Sequence, residues 1–212
     1  RYQRIRIIIF GFTKSGKQII PYKMNTVSLK DKNAITDAMD VILNGGIIVY
    51  PTDTLYGFGV DARNKLAINK LNDVKERKTP ISVISWSVRT LISWSNIDSA
   101  DFKIAENILR KSNTIILPVK ENIVHKSILA DDGSLGIRVP RHSFPIELCK
   151  QLGFPITTTS VNRAGKDPLN NPELIRNEFG EEVDLIIDAG KMPDSKGSSI
   201  YKLNNSKLKM IR

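Results

Sequence analysis

Four short polar segments hold the residues of this chain whose types and spacing suit chemistry. The first, Pro51-Thr52-Asp53-Thr54-Leu55-Tyr56-Gly57-Phe58-Gly59, sets two hydroxyls, a carboxylate and a phenol between proline and glycine. It either orients a small polar ligand or closes a hydroxyl-rich turn. The second, Val74 to Pro80, carries the cations Lys75, Arg77 and Lys78, which suit a polyphosphate or offset the negative end of a helix. The third, Ser134 to His142, places Arg138 between apolar strand residues, where a guanidinium needs an anion: a ligand's carboxylate or phosphate, or an internal carboxylate. His142 on its own reads as a packed or surface histidine rather than a base. The fourth, Thr157 to Pro168, opens with the hydroxyls of Thr157, Thr158, Thr159 and Ser160 and continues through Asn162, Gly165 and Lys166. Such neutral donors suit phosphate and amino-acid groups.

These segments interrupt an alternation of helical and strand patterns. Ser28 or Asp31 is expected to start a helix with an apolar stripe at Ile35, Ala38, Met39, Ile42 and Leu43, ending at Gly45-Gly46. Further helices are expected over Asn64–Val74, Val88–Trp94, Ala100–Leu109, Phe144–Leu152 and Pro172–Phe179. Strands are expected over Ile47–Tyr50, Ile81–Trp86, Thr114–Pro118, Leu135–Val139, Pro155–Thr159 and Val183–Asp188, with two short ones near Ser199–Leu203 and Leu208–Ile211. Alternation of this kind predicts one α/β domain with a twisted central sheet. The last two strands have too little chain between them for a helical crossover, so the sheet is expected to be mixed. Ligands of such sheets gather at strand ends, where the four polar segments fall.

Composition narrows the function classes. The chain has 212 residues, 41% hydrophobic and 25% charged, the balance of a globular domain. No run approaches the roughly 18 apolar residues of a membrane span. Cys149 is the only cysteine and His125 and His142 the only histidines, so a disulfide framework or a Cys/His metal cluster is not expected and a reducing cytoplasm is the natural setting. The net charge of +10 points to an anionic partner, but six of the 32 basic residues and none of the 22 acidic ones lie in residues 1–24, leaving +4 on the rest. Residues 1–24 therefore read as a basic N-terminal extension and residues 25–212 as the domain. Within the extension, Gly11 to Lys17 spells most of a phosphate-binding loop. It lacks the following Ser/Thr, and Pro21 stops any helix, so a hairpin is expected instead.

Taken in order, the motifs G-G-x-x-x-Y-P-T-D-T-x-Y-G-F-G at 45–59, K-x-R then Pro at 75–80, G-I-R-V-P-x-H at 136–142, S-x-N at 160–162 and G-S-S-I at 197–200 resemble the YrdC-like family. Its members include threonylcarbamoyl-adenylate synthases, which act early in forming N6-threonylcarbamoyladenosine in tRNA. The resemblance covers residues 25–212 and implies a twisted α/β fold with a deep, electropositive groove. It also implies L-threonine, bicarbonate and ATP as substrates, with Mg2+ carried by the phosphates, no protein-bound metal, and a downstream threonylcarbamoyl transferase. By position in the motifs, Lys75 and Arg77 correspond to the catalytic ATP-phosphate pair and are expected as surface cations of the groove. Thr79, Ser134, Ser160, Asn162 and Arg212 match nucleotide-side positions, and Thr52, Arg138, Thr158 and Ser198 match threonine-side positions.

The sequence departs from the family pattern on the phosphate side. Pro80 comes two residues early, the histidine expected shortly afterwards is absent, and the usual P-G-P-x-T reads Arg110-Lys111-Ser112-Asn113-Thr114. Two other readings therefore stay open: a non-catalytic paralogue that binds nucleotide, tRNA or double-stranded RNA, and a carbamoyltransferase-like module. Against RNA stacking, Trp86 and Trp94 read as packing residues.

Overall fold

The computed structural model describes residues 25–76, 80–204 and 206–212, so the N-terminal extension with its loop-like motif, and the candidates Arg77 and Thr79, lie outside the described residues. The strands are β1 (Asn25–Ser28), β2 (Ile48–Pro51), β3 (Tyr56–Gly59), β4 (Ser82–Ile84), β5 (Thr114–Pro118), β6 (Ser134–Arg138), β7 (Ile156–Ser160), β8 (Leu185–Asp188), β9 (Ile200–Asn204) and β10 (Lys207–Met210). The helices are α1 (Ala34–Leu43), α2 (Lys65–Lys75), α3 (Thr90–Trp94), α4 (Ser99–Leu109), α5 (Ser143–Leu152) and α6 (Pro172–Phe179).

All ten strands join one sheet in the order β1-β8-β2-β3-β7-β4-β6-β5-β9-β10. It is mixed, as expected: β2 and β8 pair parallel, β3 and β7 antiparallel, β4 and β6 parallel. The tight β9–β10 connection makes an antiparallel pair, the geometry a short link permits.

Period-2 alternation builds a core on each face. Val49, Phe58, Val83, Ile115, Ile137 and Ile186 point to one face, where Ile68 and Leu71 of α2, Ala105 and Leu109 of α4, and Ile175 and Phe179 of α6 cover them. Ile48, Tyr50, Ile84, Ile156 and Ile187 point to the other, under Ala38 and Ile42 of α1 and Phe144 and Leu148 of α5. The second core stops partway across the sheet. Beyond it the same face carries polar side chains.

Local chemistry sets the helix starts. Asn64 accepts from the backbone amides of Leu66 and Ala67, Asp98 from Asp101, and Asn171 from Glu173 just beyond the proline that opens α6. Two expectations are corrected. The helix expected from Ser28 or Asp31 begins at Ala34, because residues 25–28 pair in parallel with β8 as an edge strand. Tyr56–Gly59, read as part of a ligand loop, is a strand paired antiparallel with β2, its glycines letting it lie against Tyr50.

Candidate functional site

The cavity is floored by the polar half-face of the sheet. Leu135 and Ile137 of β6 enter the larger core, so Gly136 and Arg138 face the opposite way. Register neighbours share that face: Ser82 pairs with Thr158, and Thr114 pairs with Arg138 and Ile200. Ser82, Thr114, Arg138, Thr158, Ser160 and Ile200 line the cavity floor. Walls come from the β2–β3 turn with Thr52 and Thr54, the segment Lys196–Ser198, and Arg212. Three of the described lining residues are cations, Arg138, Lys196 and Arg212, and none is an acid.

Arg138 is 6% exposed and donates from Nη2 to Asp53 Oδ1 at 2.6 Å, while its Nε is buried without a hydrogen-bond partner. Asp53 comes from the β2–β3 turn. Thr52 buckles that turn: its Oγ1 donates to the Leu55 carbonyl at 2.7 Å and accepts from the amides of Thr54 and Leu55 at 3.2 Å. The segment is the hydroxyl-rich turn, and that turn also forms a cavity wall.

On the far wall Ser198 is fixed by its hydroxyl contact with Thr114 Oγ1 at 2.8 Å, and Arg212 Nη2 donates to its carbonyl at 3.0 Å. The Tyr56 hydroxyl donates to Gly190 O and accepts from the Ala189 amide, tying this segment's start to the sheet. Burial pushes its pKa up to about 12, so it stays protonated.

Ser160 Oγ donates to Asn162 Oδ1 at 2.6 Å, and Asn162 Nδ2 donates to the carbonyls of Arg163 and Lys166. The S-x-N segment is thus a closed turn. Lys75 clasps it from beneath, its Nζ donating to Ser160 O at 2.6 Å, Asn162 O at 2.9 Å and Asn162 Oδ1 at 3.2 Å, with Phe58's ring centroid 5.4 Å away. Lys75 is 2% exposed. This corrects the expectation of a surface groove cation: the helix end points its ammonium into the turn rather than at solvent. Arg163 adds a second clasp, donating to Val74 O and to Glu178 and Glu182, which hold its pKa above the usual arginine value.

The structure therefore brings Thr52, Arg138, Thr158, Ser160, Ser198 and Arg212 to one cavity and sets Asn162 and Lys75 directly behind Ser160. It does not bring Ser134 there. Ser134 lies four positions along β6 from Arg138, about 13 Å in an extended strand. At that end Ser134 Oγ donates to Asp132, whose carboxyl pairs with Lys202 and is held well below the usual carboxylate range. Sequence reasoning missed Ser82 and Lys196. Ser82 was detectable as the hydroxyl alternating with inward Ile81 and Val83; Lys196 lies in a segment with no periodic signal.

His142 caps α5, its Nδ1 accepting from the Phe144 amide at 3.2 Å. Burial pulls its pKa below the ordinary 6.5, with Asp53 opposing. Trp86 and Trp94 pack edge to face with centroids 5.5 Å apart, Trp94 being buried in the core. Among the described residues, no three His, Cys, Asp or Glu side chains group as metal ligands, and no helix is long and apolar enough to cross a membrane.

Comparison with known proteins gives the following similarities. Residues 40–212 match the Sua5/YciO/YrdC family model, described as "Telomere recombination". A Methanocaldococcus jannaschii protein named "Putative threonylcarbamoyl-AMP synthase" is 35% identical over 173 residues, 81% of each chain. The fold matches E. coli YciO with a TM-score of 0.79 at 24% identity, over 89% of this chain and 93% of that one. It matches P. abyssi Sua5, solved in complex with L-threonine, with a TM-score of 0.79 at 23% identity; the match covers 89% of this chain and 56% of that longer one.

Proposed function

The chain belongs to the Sua5/YciO/YrdC family, and from that premise we propose that it is an L-threonylcarbamoyl-adenylate synthase, making threonylcarbamoyl-AMP and pyrophosphate from L-threonine, bicarbonate and ATP. The observation that carries the reading is Arg138: a buried guanidinium on the cavity floor with a carboxylate, Asp53, on one side and an unpartnered Nε. The Arg138 guanidinium offers its charge to the carboxylate of an α-amino acid, while Asp53, from behind the β2–β3 turn, fixes its orientation at 2.6 Å. Thr158 on the floor and Ser198 on the wall supply hydroxyls for the substrate's own hydroxyl.

In the proposed reaction threonine's amine forms an N–C bond to bicarbonate carbon, and water leaves to give a carbamate. A carbamate oxygen then attacks the α-phosphorus of ATP, and the bond to pyrophosphate breaks. No protein nucleophile enters, which suits a chain whose single thiol, Cys149, is buried with its pKa pushed up to about 12. Catalysis rests on holding two anions in line and offsetting charge as it develops. Arg212 and the Ser160–Asn162 turn are assigned to the nucleotide, with Lys75 supplying positive charge from beneath that turn. Arg77 and Thr79 are assigned to the phosphates by motif position. The described lining residues offer hydroxyls and cations but no carboxylate, so Mg2+ is assigned to the substrate as MgATP, held by phosphate oxygens. The electropositive groove, a cytoplasmic setting and hand-over of the product to a tRNA-modifying threonylcarbamoyl transferase belong to the same proposal.

Pyrophosphate release from ATP, with Mg2+ and bicarbonate and with L-threonine present, absent or replaced by L-serine, tests the reading. Release that depends on threonine is expected. Release indifferent to threonine, or none alongside measurable ATP or tRNA binding, would move the function to a binding paralogue.

A further inference from the structure

A second cavity lies beside the first and shares with it a wall made of Thr54, Gly197 and Ser198. The rest of its lining comes from the turn after α4, from Arg141 and from Ser199. This turn, Arg110-Lys111-Ser112-Asn113, is where the chain departs from the family pattern, so the cavity's chemistry belongs to this sequence.

Lys111 and Arg141 are exposed, and neither is paired with a carboxylate among the described residues. Arg141 Nη2 donates to the Arg110 carbonyl at 2.5 Å, which ties the guanidinium to the turn and leaves its other N–H groups to a ligand. Asp53, the one acid among the described lining residues, is already engaged by Arg138 at 2.6 Å. Ser112 is the second pointer to a ligand. It lines the cavity, is 8% exposed, takes a left-handed φ of 59°, and keeps a buried Oγ with no hydrogen-bond partner. The φ closes α4, the Ser112 amide donating to the Leu109 carbonyl at 2.9 Å, so it is the hydroxyl that stands out: a buried hydroxyl ordinarily finds a partner. Two unpaired cations, an orphan hydroxyl and the neutral groups of Asn113 and Ser199 make a donor set for a compact oxyanion.

We propose that this cavity is a subsite for a small oxyanion and, resting on the synthase reading, that the oxyanion is bicarbonate, stored next to the threonine subsite. Orthophosphate shares the chemistry, so the experiment separates the two. The 15N-labelled full chain is titrated with sodium bicarbonate and, separately, with sodium orthophosphate at constant pH and ionic strength, reading the amides of Ser112, Asn113 and Ser199. Bicarbonate is expected to give saturable shifts, weakened about tenfold in the Lys111→Gln/Arg141→Gln double variant. Ser112→Gly, which relieves the left-handed φ and deletes the hydroxyl, is expected to keep or gain thermal stability while binding the anion more weakly. In pyrophosphate release the double variant should raise KM for bicarbonate about tenfold and leave KM for L-threonine within about twofold. Saturation by orthophosphate alone would keep the oxyanion site and overturn the bicarbonate assignment. Absence of saturable shifts with both anions would overturn the subsite whether or not the protein turns over. Shifts with bicarbonate in a protein that releases no pyrophosphate would retain the subsite and sink the synthase reading.

Discussion

Arg138 and Asp53 hold each other with side chains 7% and 14% exposed, so removing either charge strands the other away from water. Arg138→Met should cost about 3 kcal/mol of stability in denaturant titration and abolish threonine-dependent pyrophosphate release. That the arginine needs an anion was legible, because a guanidinium among strand apolars has no other way to be buried. Which anion was not legible, since Asp53 lies 85 residues away in sequence. Lys75 teaches the converse. Its motif position marked it as important, but its ammonium donates three hydrogen bonds to the protein's own S-x-N turn. Lys75→Met should therefore lower stability by about 2 kcal/mol, because two carbonyls and an amide oxygen lose a buried donor; a fully stable variant in urea melts would refute the clasp. His142 sets a pH dependence. Its folded pKa lies below the unfolded 6.5, so the unfolded chain takes the proton first and stability falls as pH drops through 6.5 toward the lowered folded value. His142→Asn keeps an N-cap acceptor for α5 and removes the titration, so its melting temperature should vary less between about pH 7.5 and 5 than the wild type's.

Among the elements, β4 and β6 depend on a close approach. A Cβ on Gly136 would collide with Ser82 Oγ and contact Ser82 Cβ at 3.1 Å. Gly136→Ala should cost about 1–3 kcal/mol and, by moving β6 off β4, raise KM for threonine through Arg138; thermal denaturation with steady-state kinetics reads both effects. The helices were largely legible because capping residues and 3.6-residue stripes are local signals: Asn64, Asp98 and Asn171 all cap where the pattern begins. The strands that escaped were β1, whose short polar sequence pairs only because β8 lies beside it, and β3, whose glycines read as loop. The floor of the site was half legible. Alternation predicts that Thr114 and Arg138 oppose their apolar neighbours, but only the register Thr114↔Arg138 and Ser82↔Thr158 puts them side by side.

Across the central strands, helices cover one face of the sheet and leave part of the other open, and the open stretch floors the cavity. Threonine and MgATP would bridge its walls, from the β2–β3 turn to Ser198 and Arg212. Each ligand at about 100 times its Kd should then stabilise the fold by about 2.7 kcal/mol, a melting shift of roughly 5–11 °C for a domain of this size, measurable by calorimetry; L-serine in place of threonine should give a smaller shift. The order of motifs and the alternation of helix and strand were enough to establish an α/β class, a mixed sheet and the candidate binding segments, because they rest on local propensity and spacing. Only the tertiary structure decided that Lys75 is buried, that Ser134 lies at the end of β6 opposite Arg138, and that Asp53 meets Arg138. Those outcomes depend on strand order and register, and β3, β7, β4 and β6 lie side by side although the chain visits them far apart.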